Sequence, residues 1–244
     1  MKVSVRVVAS VLAAVAAVGM AGCGGAKAGV AGSEPSTAAA SSTQPIPGAE
    51  ELWTAAQASM KAATSVRIKG TATNKGVTIP VEMAGTRDGS NAKVVVSQND
   101  WTAELIMISG TTYVKGNAAY WTMAGVPAAR VQAIGTKYVR TTAMDTSKMD
   151  VGAMMDELAT INFNLVDKLN IKVEQADLAG VPAYVMSQRV STSQGDLKAW
   201  VSAEGKANLL KLIVVGGENP TDLDFSDWNA VAPFTAPPAD QIFG

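Results

Sequence analysis

Cys23 is the only cysteine of the chain, and it ends the segment Met20-Ala21-Gly22-Cys23. Small residues directly before a cysteine form a lipobox, in which the thiol first receives diacylglycerol and the peptide bond before it is then cleaved. Met20 stands where Leu is commoner, and the two side chains are similar in size and polarity. The pattern predicts that the Cys23 thiol is acylated and begins the mature chain.

Residues 1–22 have the organisation of a lipoprotein signal peptide. Lys2 and Arg6 precede the apolar run from Val7 to Val18, which is too short to cross a bilayer as a helix. An ordinary signal peptide or an uncleaved anchor helix is the alternative, and either would leave an unpaired thiol in a secreted protein. Two or more acyl chains make release from a bilayer slow. The predicted location is therefore the extracytoplasmic face of the cell membrane, with a lipid anchor.

Histidine is absent from all 244 residues. Its absence excludes Ser-His-Asp and Cys-His catalysis and the ordinary zinc and iron sites, because these need imidazole as a base or a ligand. Paired carboxylates and Ser-Lys pairs do not need histidine, so catalysis is disfavoured and not forbidden. The sequence predicts a protein that is not an enzyme and that has no cofactor.

Two groups of carboxylates are the remaining candidates for chemistry. Asp222, Asp224 and Asp227 carry the oxygen ligands that Ca²⁺ prefers, but their spacing matches no complete EF-hand loop and favours a solvated turn. Asp156 and Glu157 are adjacent on a predicted helix, where they point in different directions and form no acid/base pair. No metal site is predicted.

The mature chain divides into a tether and one domain. Residues 23–48 comprise the acylated cysteine and a segment rich in Gly, Ala, Ser, Thr and Pro, a composition that cannot bury enough apolar surface to fold. Residues 49–244 are long enough for one globular domain with a substantial core. Without the signal peptide the net charge changes from −1 to about −3, which does not suggest a nucleic-acid partner.

The periodicity of the domain predicts a helix followed by an antiparallel sheet. Glu50–Ala63 has helical spacing, with Leu52, Ala56, Ser59, Met60 and Ala63 on one face. Alternating apolar residues then predict consecutive short strands joined by tight turns. The expected strands begin at Val66, Val77, Lys93, Trp101, Thr112, Tyr120, Ile171, Ala183, Leu197 and Leu209.

Two further segments interrupt the strands. Residues 128–146 are poorly periodic, and Lys148–Ile161 has the spacing of a central helix. The proline-rich C-terminal segment from Thr221 is expected to be an extended cover strand or coil. A long antiparallel sheet with two helices predicts a curved sheet wrapped around the helices.

This order of elements resembles a known superfamily. The features in question are the lipobox, the tether, the helix that runs into SVRIKGTA, and the segments LAGVPAYV (Leu178–Val185), LKAWVSAEG (Leu197–Gly205) and DFSDWNAVAPFTAPPADQI. Together they resemble the LolA-like superfamily, and specifically the LppX/LprG-type lipoproteins of actinobacteria. The resemblance covers essentially the entire chain, and its motifs include no reactive group. It implies an α+β fold, in which a curved antiparallel β-sheet forms an open half-barrel with helices packed on its concave face.

The resemblance also implies an apolar cavity that accepts the acyl chains of lipids or lipoglycans. The inward-facing residues would line it, and flexible methionines, including Met144 and Met149, suit ligands of variable shape. A closely packed core without a cavity explains the same apolar pattern and stays open. The candidate lining residues are Val66, Ile68, Ile79, Val81, Met83, Val94, Val96, Leu105, Met107, Met154, Met155, Leu158, Leu197 and Val201.

Two functions follow, from different classes. The first is a membrane-anchored lipoprotein that binds or carries acyl lipids or lipoglycans in this cavity, as a fixed receptor or loader within the reach of its tether. The alternative is a non-enzymatic interaction or scaffold lipoprotein with a collapsed core, which assists a membrane or envelope protein. Trp200, on the outward face of its strand, is the tryptophan expected to contact such a partner.

Overall fold

The computed structural model describes residues 45–74, 76–142, 144, 150–161, 171–191 and 195–244. The predicted signal peptide, Cys23, most of the tether and Met149 lie outside these residues. Twelve strands form one curved, open sheet, and a few helices pack on it. The predicted fold class is confirmed.

The strands form two meanders, which we call the first and the second wing. The first wing consists of β1 (Ser65–Asn74), β2 (Val77–Thr86), β3 (Asn91–Gln98), β4 (Trp101–Ile108), β5 (Thr111–Gly116) and β6 (Tyr138–Thr141). The second wing consists of β7 (Ile171–Leu178), β8 (Val181–Ser191), β9 (Gly195–Ser202), β10 (Leu209–Val215) and β11 (Thr221–Ser226). A last short strand, β12 (Ile242–Phe243), lies beside β6.

The strand order is β12-β6-β5-β4-β3-β2-β1-β11-β10-β9-β8-β7. Neighbours are antiparallel except β12 and β6, which are parallel. Tight turns explain the meanders: Ser109 and Gly110 both have positive φ, 48° and 80°, as do Ala179 and Gly180, 54° and 87°. Such two-residue turns match the twist of the strands that they connect.

The C-terminal segment corrects one expectation. Its first six residues do not cover the sheet but form β11, which pairs with both β1 and β10 and so joins the two wings. The rest is largely extended, apart from a turn at residues 228–230 and a 3-10 helix at Ala239–Gln241, and it crosses the strand ends towards β6. The Asn91 side chain holds it there, because its amide donates to the Phe234 carbonyl oxygen at 2.8 Å and its Oδ1 accepts from the Phe234 N–H at 2.8 Å.

Four α-helices lie among the described residues. They are α1 (Ala49–Ala62), α2 (Ala118–Met123), α3 (Ala128–Ile134) and α4 (Val151–Leu158). The first predicted helix is confirmed within one residue at each end. Its buried face includes Trp53, which was not expected there, whereas Ser59, which was expected there, is only half-buried. The central helix is confirmed over α4, which Asp150 caps by accepting from the Gly152 N–H at 2.7 Å. No helix in the described part of the chain has the length and apolarity that a membrane span requires.

The prediction of a strand at Tyr120-Trp121-Thr122-Met123 is wrong, because this segment is α2. Asn117 starts the helix: its side chain accepts a hydrogen bond from the Tyr120 N–H at 2.9 Å. An asparagine cap satisfies a backbone donor that has no partner within the first turn. The poorly periodic residues that follow contain α3 and β6.

Candidate functional site

The face of the sheet that bears the helices, here called the inner face, is mainly apolar across both wings, with Thr112, Gln188 and Thr221 as its buried polar residues. All fourteen candidate lining residues lie buried on the described sheet or on α4, and thirteen of them share one hydrophobic cluster with residues of α1 and α2. Ile79 is buried outside that cluster. The charged residues of the described segments all keep some exposure, so the inner face buries no ionised group.

Helix α1 lies over the inner face and is tied to the end of α4. It buries Leu52, Trp53, Ala56 and Met60. The Trp53 indole N–H donates to the carbonyl oxygen of Ile161 at 2.7 Å. These contacts orient two helices over one apolar surface, as the predicted architecture requires.

Arg87, which directly follows β2, connects the same two helices to the rim of the sheet. Its guanidinium donates to the carbonyl oxygen of Met60 at 2.8 Å and forms an ion pair with Asp156 of α4. Gly152 packs so closely on Arg87 that an added Cβ would lie 2.1 Å from the Arg87 carbonyl oxygen. Sequence analysis missed this junction, because an arginine after a strand has no local signature of its partners.

Three aromatic side chains form a second group on the inner face, which we call the aromatic cluster: Trp101, Tyr120 and Trp121. The ring centroid of Tyr120 lies 5.9 Å from the ring centroid of Trp101 and 5.0 Å from that of Trp121. Tyr120 presses on Gly116, where a Cβ would lie 2.2 Å from its ring, and burial raises the pKa of Tyr120. Because Tyr120 and Trp121 were assigned to a strand, the sequence did not predict this cluster.

Methionines are concentrated in the same apolar cluster. Met60, Met83, Met107, Met154, Met155 and Met186 are all buried there, and Met144 packs against it while partly exposed. Unbranched thioether side chains change conformation easily and fill irregular gaps. An interior of this composition can repack around a flexible apolar ligand.

The carboxylates that sequence analysis considered for metal binding have ordinary partners. The Lys211 Nζ lies 2.6 Å from Asp222 and 3.0 Å from Asp224, and the Arg67 Nε lies 2.6 Å from Asp227. Across the described residues, no three metal-ligating side chains come together in a group that could hold an ion. The geometry agrees with ion pairs on the outer face of the sheet.

Trp200 lies on the outer face, as its position between Lys198 and Ser202 indicated. It is only 9% exposed and packs with Ala176, Ala183 and their neighbours in a small second hydrophobic cluster. The expectation that Trp200 contacts a partner stays a prediction, since most of the indole is covered by its own sheet.

No protein-family model and no curated protein sequence matches the chain. Among solved structures, it is similar to LprF from Mycobacterium bovis, with a TM-score of 0.51, 15% identity, and coverage of 80% of this chain and 99% of LprF. It also matches the lipoprotein LppX from Mycobacterium tuberculosis, with a TM-score of 0.43, 15% identity, and coverage of 75% of this chain and 98% of LppX. The chain therefore has the fold of LprF, and the resemblance to LppX/LprG-type lipoproteins is confirmed at the level of the fold.

Proposed function

We propose that this protein is a non-enzymatic, extracytoplasmic lipoprotein, anchored through Cys23, that binds acyl lipids or lipoglycans between its inner face and helices α1, α2 and α4. The observation that carries the proposal is the apolar inner face, which spans both wings and buries no charged side chain among the described residues. The fold shared with LprF supports it. The fourteen candidate residues are proposed to contact the acyl chains.

The affinity of such a site would come from the hydrophobic effect. Each methylene group removed from water contributes about 0.8 kcal/mol, so even a single long acyl chain supplies enough free energy for binding. The costs of association and of ordering the ligand reduce the net value. Helices α1 and α4 contact the sheet through apolar side chains and through the rim contacts of Arg87 and Gly152, and small movements of the helices about these contacts are proposed to make room for a ligand.

A second candidate function is an interaction lipoprotein with a collapsed core. The second hydrophobic cluster, on the outer face of the second wing, favours it, since Val181 and Val215 on the same face are 44% and 56% exposed. An apolar patch on a sheet surface is typical of protein contacts. This function predicts a protein partner and no bound lipid.

Native mass spectrometry of the full chain carrying Cys23→Ser distinguishes the two functions. This substitution removes the proposed covalent anchor, so any lipid mass comes from non-covalent binding. We expect adducts with the mass of acyl lipids, which organic solvent releases for identification. In parallel, the unsubstituted chain should fractionate with membranes and carry covalent diacylglycerol, whereas the Cys23→Ser chain should carry none.

A lipid-free mass that is unchanged after incubation with bacterial lipid extract would contradict the lipid-binding proposal. The outer-face cluster would then become the leading functional surface. Absence of covalent lipid on the unsubstituted chain would contradict the anchor, independently of the result on lipid binding.

A further inference from the structure

Trp121 carries a buried hydrogen-bond donor without an acceptor. The residue is 7% exposed, and its indole Nε1 has no hydrogen-bond partner in the described protein. Two other tryptophans satisfy theirs: Trp53 donates to the Ile161 carbonyl oxygen at 2.7 Å and Trp228 to the Leu209 carbonyl oxygen at 2.9 Å. Because buried indole N–H groups usually have a partner, the unpaired donor of Trp121 calls for an explanation.

The surrounding contacts hold this indole in place. Trp121 packs edge-on against Tyr120, which also contacts Trp101 and Gly116. Helix α2 starts at the Asn117 cap and packs on β4 and β5. The ring therefore cannot turn towards solvent without breaking the aromatic cluster.

Trp121 also belongs to the apolar cluster that contains Val81, Met107 and Met155. The indole therefore borders the interior in which the proposed function places acyl chains. An indole N–H only donates, so it pairs with an acceptor. The uncharged acceptors that an acyl lipid brings into an apolar interior are the carbonyl oxygens of its ester or amide linkages.

We propose that the Trp121 indole N–H donates a hydrogen bond to the ester or amide carbonyl of the bound lipid. This inference rests on the proposed lipid-binding function and adds a specificity: lipids with carbonyl-linked chains bind more tightly than ether-linked lipids of the same chain length. A ligand carbonyl satisfies a donor that otherwise remains buried without a partner.

The test compares two probes, dipalmitoyl phosphatidylglycerol and its ether-linked dihexadecyl analogue, on the full chain carrying Cys23→Ser. We expect the ester lipid to bind more tightly by roughly three- to tenfold, the range of one neutral hydrogen bond. Trp121→Phe should remove this preference while still binding both lipids. Trp228→Phe is the matched control, because its N–H already has a protein acceptor, and it should keep the preference even where it lowers the thermal midpoint.

The indole N–H resonances give a second readout that does not depend on the stability of a variant. In the chain labelled with ¹⁵N, the Trp121 signal should shift downfield on addition of the ester lipid and much less with the ether analogue. If the Cys23→Ser chain, with Trp121 in place, binds the two probes equally and its Trp121 signal does not shift, the inference is overturned and lipid binding remains intact. If neither probe binds, the proposed function itself fails.

Discussion

Replacing Val81 with Trp should weaken acyl-lipid binding by roughly fiftyfold while the protein stays folded. Val81 lies on the inner face, between Val96 of β3 and Gly70 of β1, which has no side chain. The larger indole would extend over the inner face, into the space proposed for the ligand. It would displace roughly three methylene groups of an acyl chain, which corresponds to about 2.4 kcal/mol of binding free energy.

The neighbouring strand supplies a matched control. Val95 of β3 pairs with Glu82 on the outer face and is partly exposed, so Val95→Trp should leave lipid affinity unchanged. Titration with a fluorescent fatty acid measures both variants, and thermal unfolding shows that each is folded. Overpacking costs typically about 1–3 kcal/mol, so Met107→Trp serves as a second inner-face variant if Val81→Trp unfolds. A folded inner-face variant that binds like the parent would contradict the proposed position of the ligand.

Gly152→Ala should destabilise the protein by about 2–4 kcal/mol, although glycine to alanine usually stabilises a helix by up to about 1 kcal/mol. The sign reverses because the new Cβ would lie 2.1 Å from the backbone carbonyl oxygen of Arg87. Relief of that contact requires α4 to lift from the sheet, which disturbs the Arg87–Asp156 ion pair. Urea unfolding of the Cys23→Ser chain measures the change in the free energy of unfolding.

The adjacent residue separates packing from helix propensity. Ala153 is exposed on α4, so Ala153→Gly should cost only the ordinary amount of about 0.5–1 kcal/mol. A Gly152→Ala chain that is as stable as the parent would show that α4 does not pack on Arg87 as described. Met154 and Met155 of α4 would then not face the proposed ligand as described.

Local patterns predicted much of the fold. Alternation in β3, where Ala92, Val94 and Val96 are buried and Lys93 and Val95 are partly exposed, is the signal of a strand with one apolar face. The helical spacing of Leu52, Ala56 and Met60 likewise predicted α1. These patterns are local, because each residue reports the side of its own strand or helix that faces the core.

The errors have physical causes that lie elsewhere. The central place of β11 depends on its pairing with β1, about 150 residues earlier, and no local pattern reveals a partner at that distance. At α2 a local signal is present but ambiguous, since asparagine, here Asn117, serves equally in turns and as a helix cap. Because α2 was predicted as a strand, the aromatic cluster was not predicted.

The sequence predicted which apolar residues form the candidate site, but it did not predict the long-range contacts that hold the site's elements together. Every lining residue expected from the strand pattern is buried, because the inward face of a curved sheet must be apolar whether or not it holds a ligand. For the same reason, burial alone does not choose between a ligand cavity and a packed core. The contacts of Arg87 with Met60, Gly152 and Asp156 bring together residues that are distant in the sequence, so they emerged only from the structure.

The central claim is that acyl chains lie against the inner face, and intermolecular nuclear Overhauser effects test it most directly. The full chain carrying Cys23→Ser would be deuterated, with ¹³C-labelled methyl groups on Met and Val, and mixed with a protonated phospholipid. We predict contacts from acyl-chain protons to the methyl groups of Met83, Met107, Met154 and Met155, and none to the outer-face residues Val181 and Val215. Contacts confined to Val181 and Val215, or none at all with lipid bound, would contradict the account.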